Sequence, residues 1–318
     1  MSIAEKLAQL LAVVQVDVGG RGLARDPHSN LFTACPNDFA AACRSLGVSP
    51  APRLGIVTGF WIPSAELPET DGPLGAVYLA RTIGSLGCEV HLISDPFCRR
   101  ALEAGLAVAG VAHRTPVHTL GDPLPAFTHL LALERVGPGH TEASLRAQAV
   151  APEILQQFLA EVPPEQRGRC RSMRGIDISA HMSDAASLFE PFPLGVVTLG
   201  IGDGGNEIGM GKIAWPVIRA NIPRGGSIAC RVPTHHLIVA GISNWGAYAL
   251  AAGVALVRGV RPPAMWFEAD LEWSILQAMV QEGPLVDGVT GRQEPTVDGV
   301  AFPAYARPLS QIREVVEG

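Results

Sequence analysis

The strongest chemical signal in the sequence is a glycine-rich segment at residues 200–212, where six of thirteen positions are glycine. Glycine permits positive φ angles and lets backbone N–H groups approach an anion closely. The polar side chains of the segment include carboxylates, an amide and an ammonium group: Asp203, Glu207, Asn206 and Lys212. A turn that only caps the following helix needs one such residue, so this combination favours a functional loop.

Two nucleotide-binding loops share part of this pattern. Gly200, Gly202 and Gly205 satisfy G-x-G-x-x-G, which in dinucleotide-binding folds is followed about twenty residues later by an acid that holds a ribose. No carboxylate occurs at residues 222–230. A Walker A loop needs Ser or Thr after its Gly-Lys pair, whereas Ile213 stands there in this chain. These two differences argue against a dinucleotide-binding loop and against a Walker A loop.

A second group of polar residues lies in a long loop at residues 60–74, between a predicted strand and a predicted helix. Glu69 and Asp71 could bind a cation or the ammonium group of a substrate, while Thr70 and the helix N-terminus could bind a carboxylate. Gly72 belongs to the same predicted substrate-binding loop. Capping of the following helix is the alternative role for these side chains.

Three further residues are candidates for substrate binding. Glu134 ends a predicted buried strand, at the edge where α/β sheets place ligands, although an ion pair with Arg135 is an alternative. Arg174 could clamp an anion, with a surface ion pair to Asp177 as the alternative. Asn244 interrupts an uncharged stretch and could donate a hydrogen bond to a carboxylate. We expect these residues to meet the glycine-rich segment at one edge of a sheet.

Alternating strands and helices must position these residues. Short apolar runs bounded by glycine or proline predict strands at residues 53–59, 89–95, 128–134, 194–200, 227–232 and 237–240. Segments with helical periodicity separate them. The alternation predicts an α/β fold with an open, mostly parallel, Rossmann-like sheet and helices on both faces. We expect one domain over residues 1–318, with a helical insertion or lid at about residues 144–172.

The two ends of the chain carry weaker signals. A first helix is predicted at residues 3–16, and the glycines around Arg21 are expected to form the tight turn that ends it. The tail after Glu294 is dotted with proline and is expected to wrap the surface.

Bulk composition excludes several classes of protein. The formal net charge of −6, without any run of Lys or Arg, argues against a nucleic-acid partner. The six cysteines form no C-x-x-C pair, so reduced thiols in a cytoplasmic protein are expected rather than a zinc or redox site. The uncharged stretch at residues 237–257 is long enough to cross a bilayer, but the polar break at residues 243–246 favours a buried strand, turn and helix.

Several of these segments together resemble one protein family. The glycine-rich segment, Glu-Thr-Asp-Gly-Pro at residues 69–73 and Ser-Asn-Trp-Gly at residues 243–246 are similar, in this order and spacing, to the D-glutamate cyclase C-terminal domain family. Leu-Glu-Arg at residues 133–135 and Met-Arg-Gly-Ile-Asp at residues 173–177 also resemble its sequence blocks. The resemblance implies a lyase that converts D-glutamate, a small amino-acid substrate, to 5-oxo-D-proline with loss of water.

This reaction requires a base for the ammonium group and an electrophilic group that turns a carboxylate oxygen into a leaving water. The expected catalytic residues are Asp203, Glu207 and Lys212. The residues expected to bind substrate are Thr70, Gly72, Glu134, Arg174, Gly204, Gly205, Asn206 and Asn244, with the N–H groups of the two glycines orienting the α-carboxylate. A divalent cation, Mg²⁺ or Mn²⁺, could neutralise the developing oxyanion. Its expected ligands are Glu69, Asp71 and Asp203.

Two other functions stay open at the level of sequence. One is a nucleotide- or phosphate-binding transferase that uses the glycine-rich segment with a metal. The other is a non-catalytic, amino-acid-binding partner of a separate hydro-lyase-like chain, because eukaryotic members of the family carry an additional N-terminal domain that resembles a hydro-lyase. A homo-oligomer is compatible with either.

Overall fold

Parallel strands form the centre of the fold in the computed structural model, which describes all residues from 1 to 318. The strands of the main sheet are β1 (Arg53–Thr58), β4 (Glu89–Ser94), β5 (Val117–Thr119), β6 (His129–Leu133), β7 (Val197–Gly202) and β8 (His236–Val239). Their order is β5-β4-β1-β6-β7-β8, and every neighbouring pair is parallel. Strands β2 (Trp61–Ile62) and β3 (Leu67–Pro68) form a separate antiparallel hairpin.

Helices cover both faces of this sheet. They are α1 (Ile3–Val14), α2 (Asp38–Val48), α3 (Pro73–Ser85), α4 (Pro96–Val108), α5 (Glu142–Ala147), α6 (Pro152–Glu161), α7 (Trp215–Asn221), α8 (Gly225–Ile228), α9 (Ser243–Val257), α10 (Ala269–Glu282), α11 (Phe302–Tyr305) and α12 (Arg307–Glu317). Alternate residues of a strand face opposite sides. Leu131 and Leu133 of β6 accordingly join one hydrophobic cluster, and Leu130 and Ala132 join the other. The predicted open, parallel α/β sheet is confirmed.

The order of the strands reverses at β1. From β1 the chain passes through α3 and β4 to β5 at one edge, and then returns to place β6 on the opposite side of β1. Strands β7 and β8 continue outward from β6. Open α/β sheets bind ligands in the crevice at the carboxyl ends of the strands, at such a reversal. The loops that follow β1, β6 and β7 are therefore in position to line a site.

The uncharged stretch at residues 237–257 forms most of strand β8, a turn and helix α9, as predicted. None of the helices combines the length and apolar character that crossing a bilayer would require. The segment at residues 144–172 includes most of α5 and all of α6, and all six cysteines are free thiols.

The prediction of a strand at residues 227–232 is wrong. Residues 225–228 form the short helix α8, and the following residues bond to loops instead of to a neighbouring strand. The N–H of Cys230 donates to the carbonyl oxygen of Gly205 at 2.9 Å, and that of Arg231 donates to Pro138 at 3.0 Å. The apolar run is buried in the hydrophobic cluster that also contains Leu130 and Ala132, and a short apolar run predicts burial more reliably than it predicts a strand.

Candidate active site

A cavity of about 210 Å³ opens at the carboxyl edge of the sheet, where the strand order reverses. Glu134 directly follows β6, Asp203 directly follows β7, and Glu69 lies in the loop after β1. The other residues of the wall come from distant parts of the chain: Arg21, Phe60, Ile62, Pro63, Ser64, Ser172, Met173, Arg174, Ile176, Gly288, Val289 and Asp298. The fold therefore assembles this cavity from loops that are not adjacent in sequence.

Buried carboxylates are concentrated here. Oxygen atoms of Asp71, Asp203 and Asp298 lie within 4.8 Å of one another, and the same holds for Glu134, Asp203 and Glu207. All five residues are buried. The structure therefore brings together the loops after β1, β6 and β7, as the sequence predicted, and adds a carboxylate from the C-terminal segment.

The carboxylate of Glu207 organises the glycine-rich loop. Its Oε1 accepts hydrogen bonds from the N–H groups of Asp203 at 2.9 Å and Gly204 at 2.6 Å, and its Oε2 accepts one from Gly205 at 2.7 Å. Burial raises the pKa of Glu207, and these N–H groups oppose the rise. Because the N–H groups are already bonded, they are not available to orient a substrate carboxylate, contrary to the expectation from sequence.

Asp71 and Asn244 cap each other's helices. The carboxylate of Asp71 accepts N–H hydrogen bonds from Ser243 at 2.9 Å and Asn244 at 2.8 Å, at the start of α9. The side-chain oxygen of Asn244 accepts them from Gly72 at 2.9 Å and Gly75 at 2.7 Å, at the start of α3. Burial raises the pKa of Asp71 to about 7. The alternative role of helix capping is thus the one these contacts show, and the side-chain oxygen of Asn244 is bonded to backbone.

Glu134 lies beside the cavity in an unusual backbone conformation, with a φ of 44°. Non-glycine residues with positive φ are uncommon and cluster at functional sites. Its Oε2 accepts a hydrogen bond from the hydroxyl of Ser243 at 2.6 Å, and it forms no ion pair. Burial raises the pKa of Glu134 well above its usual range, and the negative charges of Asp203 and Glu207 raise it further. These surroundings therefore favour the protonated form of Glu134.

The neighbouring Arg135 does not pair with Glu134. Its buried guanidinium forms an ion pair with Asp95 and donates to the carbonyl oxygens of Gly59 at 3.0 Å and Ser183 at 2.8 Å. These contacts join the loops that follow β1 and β4 to the segment before β7. Arg135 is consequently a structural residue, and Glu134 has no ion-pair partner.

Arg21 is the buried cation of the cluster, and no predicted site residue corresponds to it. Its guanidinium forms an ion pair with Asp203 and a second one with Asp298 at 2.8 Å. Burial raises the pKa of Asp203 well above its usual range, while the charge of Arg21 opposes that rise. The available signal was an arginine placed among three glycines at residues 19–22, which we interpreted only as the end of a helix.

The prediction for the tail after Glu294 is incomplete, because this segment also contributes a residue to the cavity wall. Asp298 lines the cavity, and Asp287 is fully buried. The carboxylate of Asp287 accepts hydrogen bonds from four groups: the N–H of Val289, Thr290 and Gly299, and the hydroxyl of Thr296. The missed signal is the sequence Val-Asp-Gly-Val, which occurs at residues 286–289 and again at 297–300.

Lys212 is not part of the cavity wall. Its ammonium group donates to the carboxylate of Asp38 at 2.5 Å and to the carbonyl oxygen of His235 at 2.6 Å. An ammonium group held by these partners on the amino-terminal side of β8 is not in position to neutralise charge at the cavity. The structure thus gives Lys212 a place in the scaffold, in contrast to the catalytic role expected from sequence.

The remaining candidates differ in their placement. Arg174 lines the exposed rim of the cavity and donates to the carbonyl oxygen of Val289 at 2.7 Å, rather than pairing with Asp177. The hydroxyl of Thr70 donates to the carbonyl oxygen of Thr296 at 2.8 Å. The amide of Asn206 donates to a backbone carbonyl, and its side-chain oxygen is buried without a partner. Only Arg174 of these three lines the cavity.

Gly72 and Glu69 complete the loop after β1. Gly72 has a φ of 91°, and a Cβ atom there would lie 2.7 Å from the hydroxyl of Thr58 and 2.8 Å from Cβ of Glu134. Glycine is therefore required for the loop to approach Glu134. Burial raises the pKa of Glu69 well above its usual range, with the charges of Asp298 and Asp71 adding to the rise.

The carboxylates are chemically suited to a hard divalent cation. Asp71 and Asp203, two of the three ligands expected from sequence, share one group of converging oxygens with Asp298, and Glu69 lines the same cavity. Carboxylate oxygens are the ligands that Mg²⁺ and Mn²⁺ prefer. Arg21 contacts Asp203 and Asp298, so a cation would have to share these oxygens with its guanidinium.

The fold and the site define a parallel α/β protein with a cluster of buried acids at its ligand-binding edge. The chain belongs to the D-glutamate cyclase-like, C-terminal family, whose model matches residues 10–313. It is 29% identical over 346 aligned residues to the human protein D-glutamate cyclase, mitochondrial. That alignment covers 95% of this chain and 50% of the human protein, so the chain spans about half the length of this relative. The family resemblance seen in the motifs is confirmed, and it supports an enzymatic role at the level of the family.

Proposed function

We propose that this protein converts D-glutamate to 5-oxo-D-proline with loss of water. The observation that carries the proposal is the cavity wall of buried acids in a member of this family. Among these acids, Glu134 forms no ion pair, whereas Asp203 pairs with Arg21. Negative charges attract the ammonium group of an amino acid, and a protonated acid can donate to its carboxylate.

The reaction moves two protons from nitrogen to oxygen. The ammonium group of D-glutamate loses one proton before its nitrogen attacks the γ-carboxyl carbon, and the new amide nitrogen loses another after the C–N bond forms. Both protons leave in the water that carries away one γ-carboxyl oxygen. A site for this reaction therefore needs one group that accepts protons and one that donates them.

Asp203 and Glu134 provide two acids in different environments. Burial raises the pKa of both acids, but of the two only Asp203 forms an ion pair with Arg21, whose charge opposes the rise. We therefore assign Asp203 the role of base. Glu134 forms no ion pair and is close to the charge of Asp203, which raises its pKa, so we assign it the role of proton donor to the γ-carboxyl oxygen. Two acids in different electrostatic surroundings are a recurring arrangement in acid–base catalysis.

The same geometry weighs against a phosphate-binding transferase. A phosphate at the glycine-rich loop would need free N–H donors, but those of Asp203, Gly204 and Gly205 are bonded to Glu207.

We also propose a divalent cation as a component of the site, held by Asp71, Asp203 and Asp298. When bound, such a cation would polarise the γ-carboxyl group and stabilise negative charge on its oxygen.

The test is an assay of the purified chain with D-glutamate and, separately, with L-glutamate, each in the presence of Mg²⁺, Mn²⁺ or EDTA. Chiral chromatography would measure both substrate and 5-oxoproline. We expect 5-oxo-D-proline from D-glutamate and a loss of product with EDTA. Full recovery of both enantiomers would reject the proposal, and product that forms only after addition of a hydro-lyase-like protein would favour the partner-subunit function.

A further inference from the structure

The loop that carries Arg21 is built to hold this residue in one position. The carboxylate of Asp17 accepts three N–H hydrogen bonds, from Arg21 at 2.8 Å, Gly22 at 2.8 Å and Leu23 at 3.0 Å. Gly22 has a φ of 94°, and a Cβ atom there would lie 2.3 Å from the carbonyl oxygen of Asn221. The backbone on both sides of the Arg21 side chain is therefore fixed.

The guanidinium of Arg21 faces acids on one side and the cavity on the other. It contacts Asp203 and Asp298, lines the cavity and retains 15% side-chain exposure. It forms no hydrogen bond to a backbone carbonyl, unlike the structural Arg135. The guanidinium therefore keeps N–H donors that no backbone group satisfies and that a ligand in the cavity can bind.

Arg174 is the other basic residue of the cavity wall, and the two lie at different depths. Arg174 is exposed at the rim, where it donates to the carbonyl oxygen of Val289. Arg21 is next to Asp203, one of the acids that exchange protons in the proposed reaction. A substrate with two carboxylates can place one against each guanidinium, and the carboxylate that reacts must lie next to the acids.

We propose that Arg21 binds the γ-carboxylate of the substrate, which is the one that reacts, and that Arg174 binds the α-carboxylate. This assignment rests on the proposed cyclase function and fixes the orientation of the substrate. A guanidinium does not give up its proton, so Arg21 stabilises the oxyanion through charge and hydrogen bonds, while Glu134 donates the proton. Asp17 acts as a positioning residue for Arg21.

The experiment compares D-glutamate with 4-aminobutanoate, which has the amine and the reacting carboxylate but lacks the α-carboxylate. The variants are Arg21→Lys and Arg174→Lys, which keep the charge but lose the planar fork of donors. Arg146→Lys is the matched control, since Arg146 is exposed and pairs only with Glu142. We would measure KM and kcat for D-glutamate and the inhibition constant of 4-aminobutanoate, and check folding by thermal unfolding.

For Arg21→Lys we expect KM for D-glutamate and the inhibition constant of 4-aminobutanoate to rise together, by about 10- to 100-fold, with a lower kcat. For Arg174→Lys we expect only KM for D-glutamate to rise. A purely structural role of Arg21 would lower the unfolding temperature without this difference between ligands. If Arg21→Lys fails to fold, Asp17→Asn keeps the arginine, loosens its loop, and should raise both constants.

The proposal is overturned if Arg21→Lys leaves both constants unchanged, if Arg174→Lys raises the inhibition constant while Arg21→Lys does not, or if 4-aminobutanoate does not inhibit the wild type. These outcomes differ from failure of the proposed function, in which the wild type forms no 5-oxoproline. In that case, calorimetric binding of the same two ligands to the same variants still tests the assignment of Arg21.

Discussion

Glu134 and Glu207 belong to one group of carboxylates but have different partners. Glu207 accepts three backbone N–H hydrogen bonds and holds the glycine-rich loop in shape. Glu134 accepts a hydroxyl hydrogen bond from Ser243 and faces the cavity. At the scale of the residue, we therefore expect loss of Glu207 to affect stability first and loss of Glu134 to affect turnover first.

Replacement of Glu207 by glutamine should destabilise the protein. The amide nitrogen of glutamine cannot accept a hydrogen bond, so at least one buried N–H of the loop would lose its acceptor, at a cost of about 1–3 kcal/mol. Urea denaturation of Glu207→Gln would measure this change in the free energy of unfolding. A variant as stable as the wild type would show that the loop does not depend on this carboxylate.

Replacement of Lys212 by methionine should leave turnover within about threefold of the wild-type value, because loss of an isolated surface ion pair changes the stability of the fold only slightly and should leave the cavity intact. Lys212 bonds to Asp38 and to the carbonyl oxygen of His235, and it does not line the cavity. Steady-state kinetics with D-glutamate would measure the effect. A drop of about 100-fold would restore the catalytic role that the sequence suggested.

Part of the site could be predicted from sequence for a simple reason. Glu134 and Asp203 directly follow apolar runs, and the ends of parallel strands share one edge of a sheet. Arg21 and Asp298 could not be placed in this way, because they lie in loops outside the strand–helix alternation. Lys212 was predicted to be catalytic because it is close in sequence to the glycine-rich loop. Such closeness does not fix the direction in which a side chain points.

At the scale of the elements, the link between Asp71 and Asn244 joins the N-terminus of α3 to that of α9. Each side chain satisfies N–H groups that a helix leaves without intrahelical partners. The two helices begin beside the cavity, so the link also fixes the loop that carries Glu69.

Replacement of Asn244 by alanine should lower the free energy of unfolding by about 1–3 kcal/mol, since the buried N–H groups of Gly72 and Gly75 would lose their acceptor. The matched control is Asn37→Ala, because Asn37 is exposed and its side chain makes no capping hydrogen bond at the start of α2. Urea denaturation of both variants provides the comparison. Equal effects would show that the link between the helices has no special role.

A second buried network joins α9, α10 and α11 and should make stability depend on pH. Glu272 accepts a hydrogen bond from the hydroxyl of Tyr248 at 2.6 Å, and that hydroxyl lies 2.5 Å from the hydroxyl of Tyr305. Burial raises the pKa of Glu272 from 4.5 to about 7, although the charge of Arg81 opposes the rise. The folded protein thus binds this proton more tightly than the unfolded chain does.

The contribution of Glu272 to stability is therefore complete below about pH 4.5 and is lost as the pH rises to about 7. Glutamine does not titrate, so Glu272→Gln should gain stability relative to the wild type across that range, by up to about 3 kcal/mol. Urea denaturation of both proteins at a series of pH values would measure this difference. A difference that does not vary with pH would contradict the assignment.

At the scale of the whole molecule, the fold follows from the alternation of buried strands and helices. This alternation was readable because strands buried on both faces form short, continuous apolar runs. The run at residues 227–232 was predicted to be a strand, but the same composition suits a buried loop. This loop bonds to the glycine-rich segment through the N–H of Cys230. The order of the strands could not be read from periodicity, since it depends on where the chain returns to the sheet after β5.

The most direct test of the central claim compares the wild-type chain with Glu134→Gln at saturating D-glutamate, with 5-oxo-D-proline measured by chiral chromatography. Glutamine keeps the size of the side chain but cannot donate the required proton, and such proton transfer contributes about 100-fold or more to a rate. We expect product from the wild type and a kcat at least about 100-fold lower in the variant, with no loss in the free energy of unfolding. Equal turnover by the two proteins, or none by either, would contradict the account.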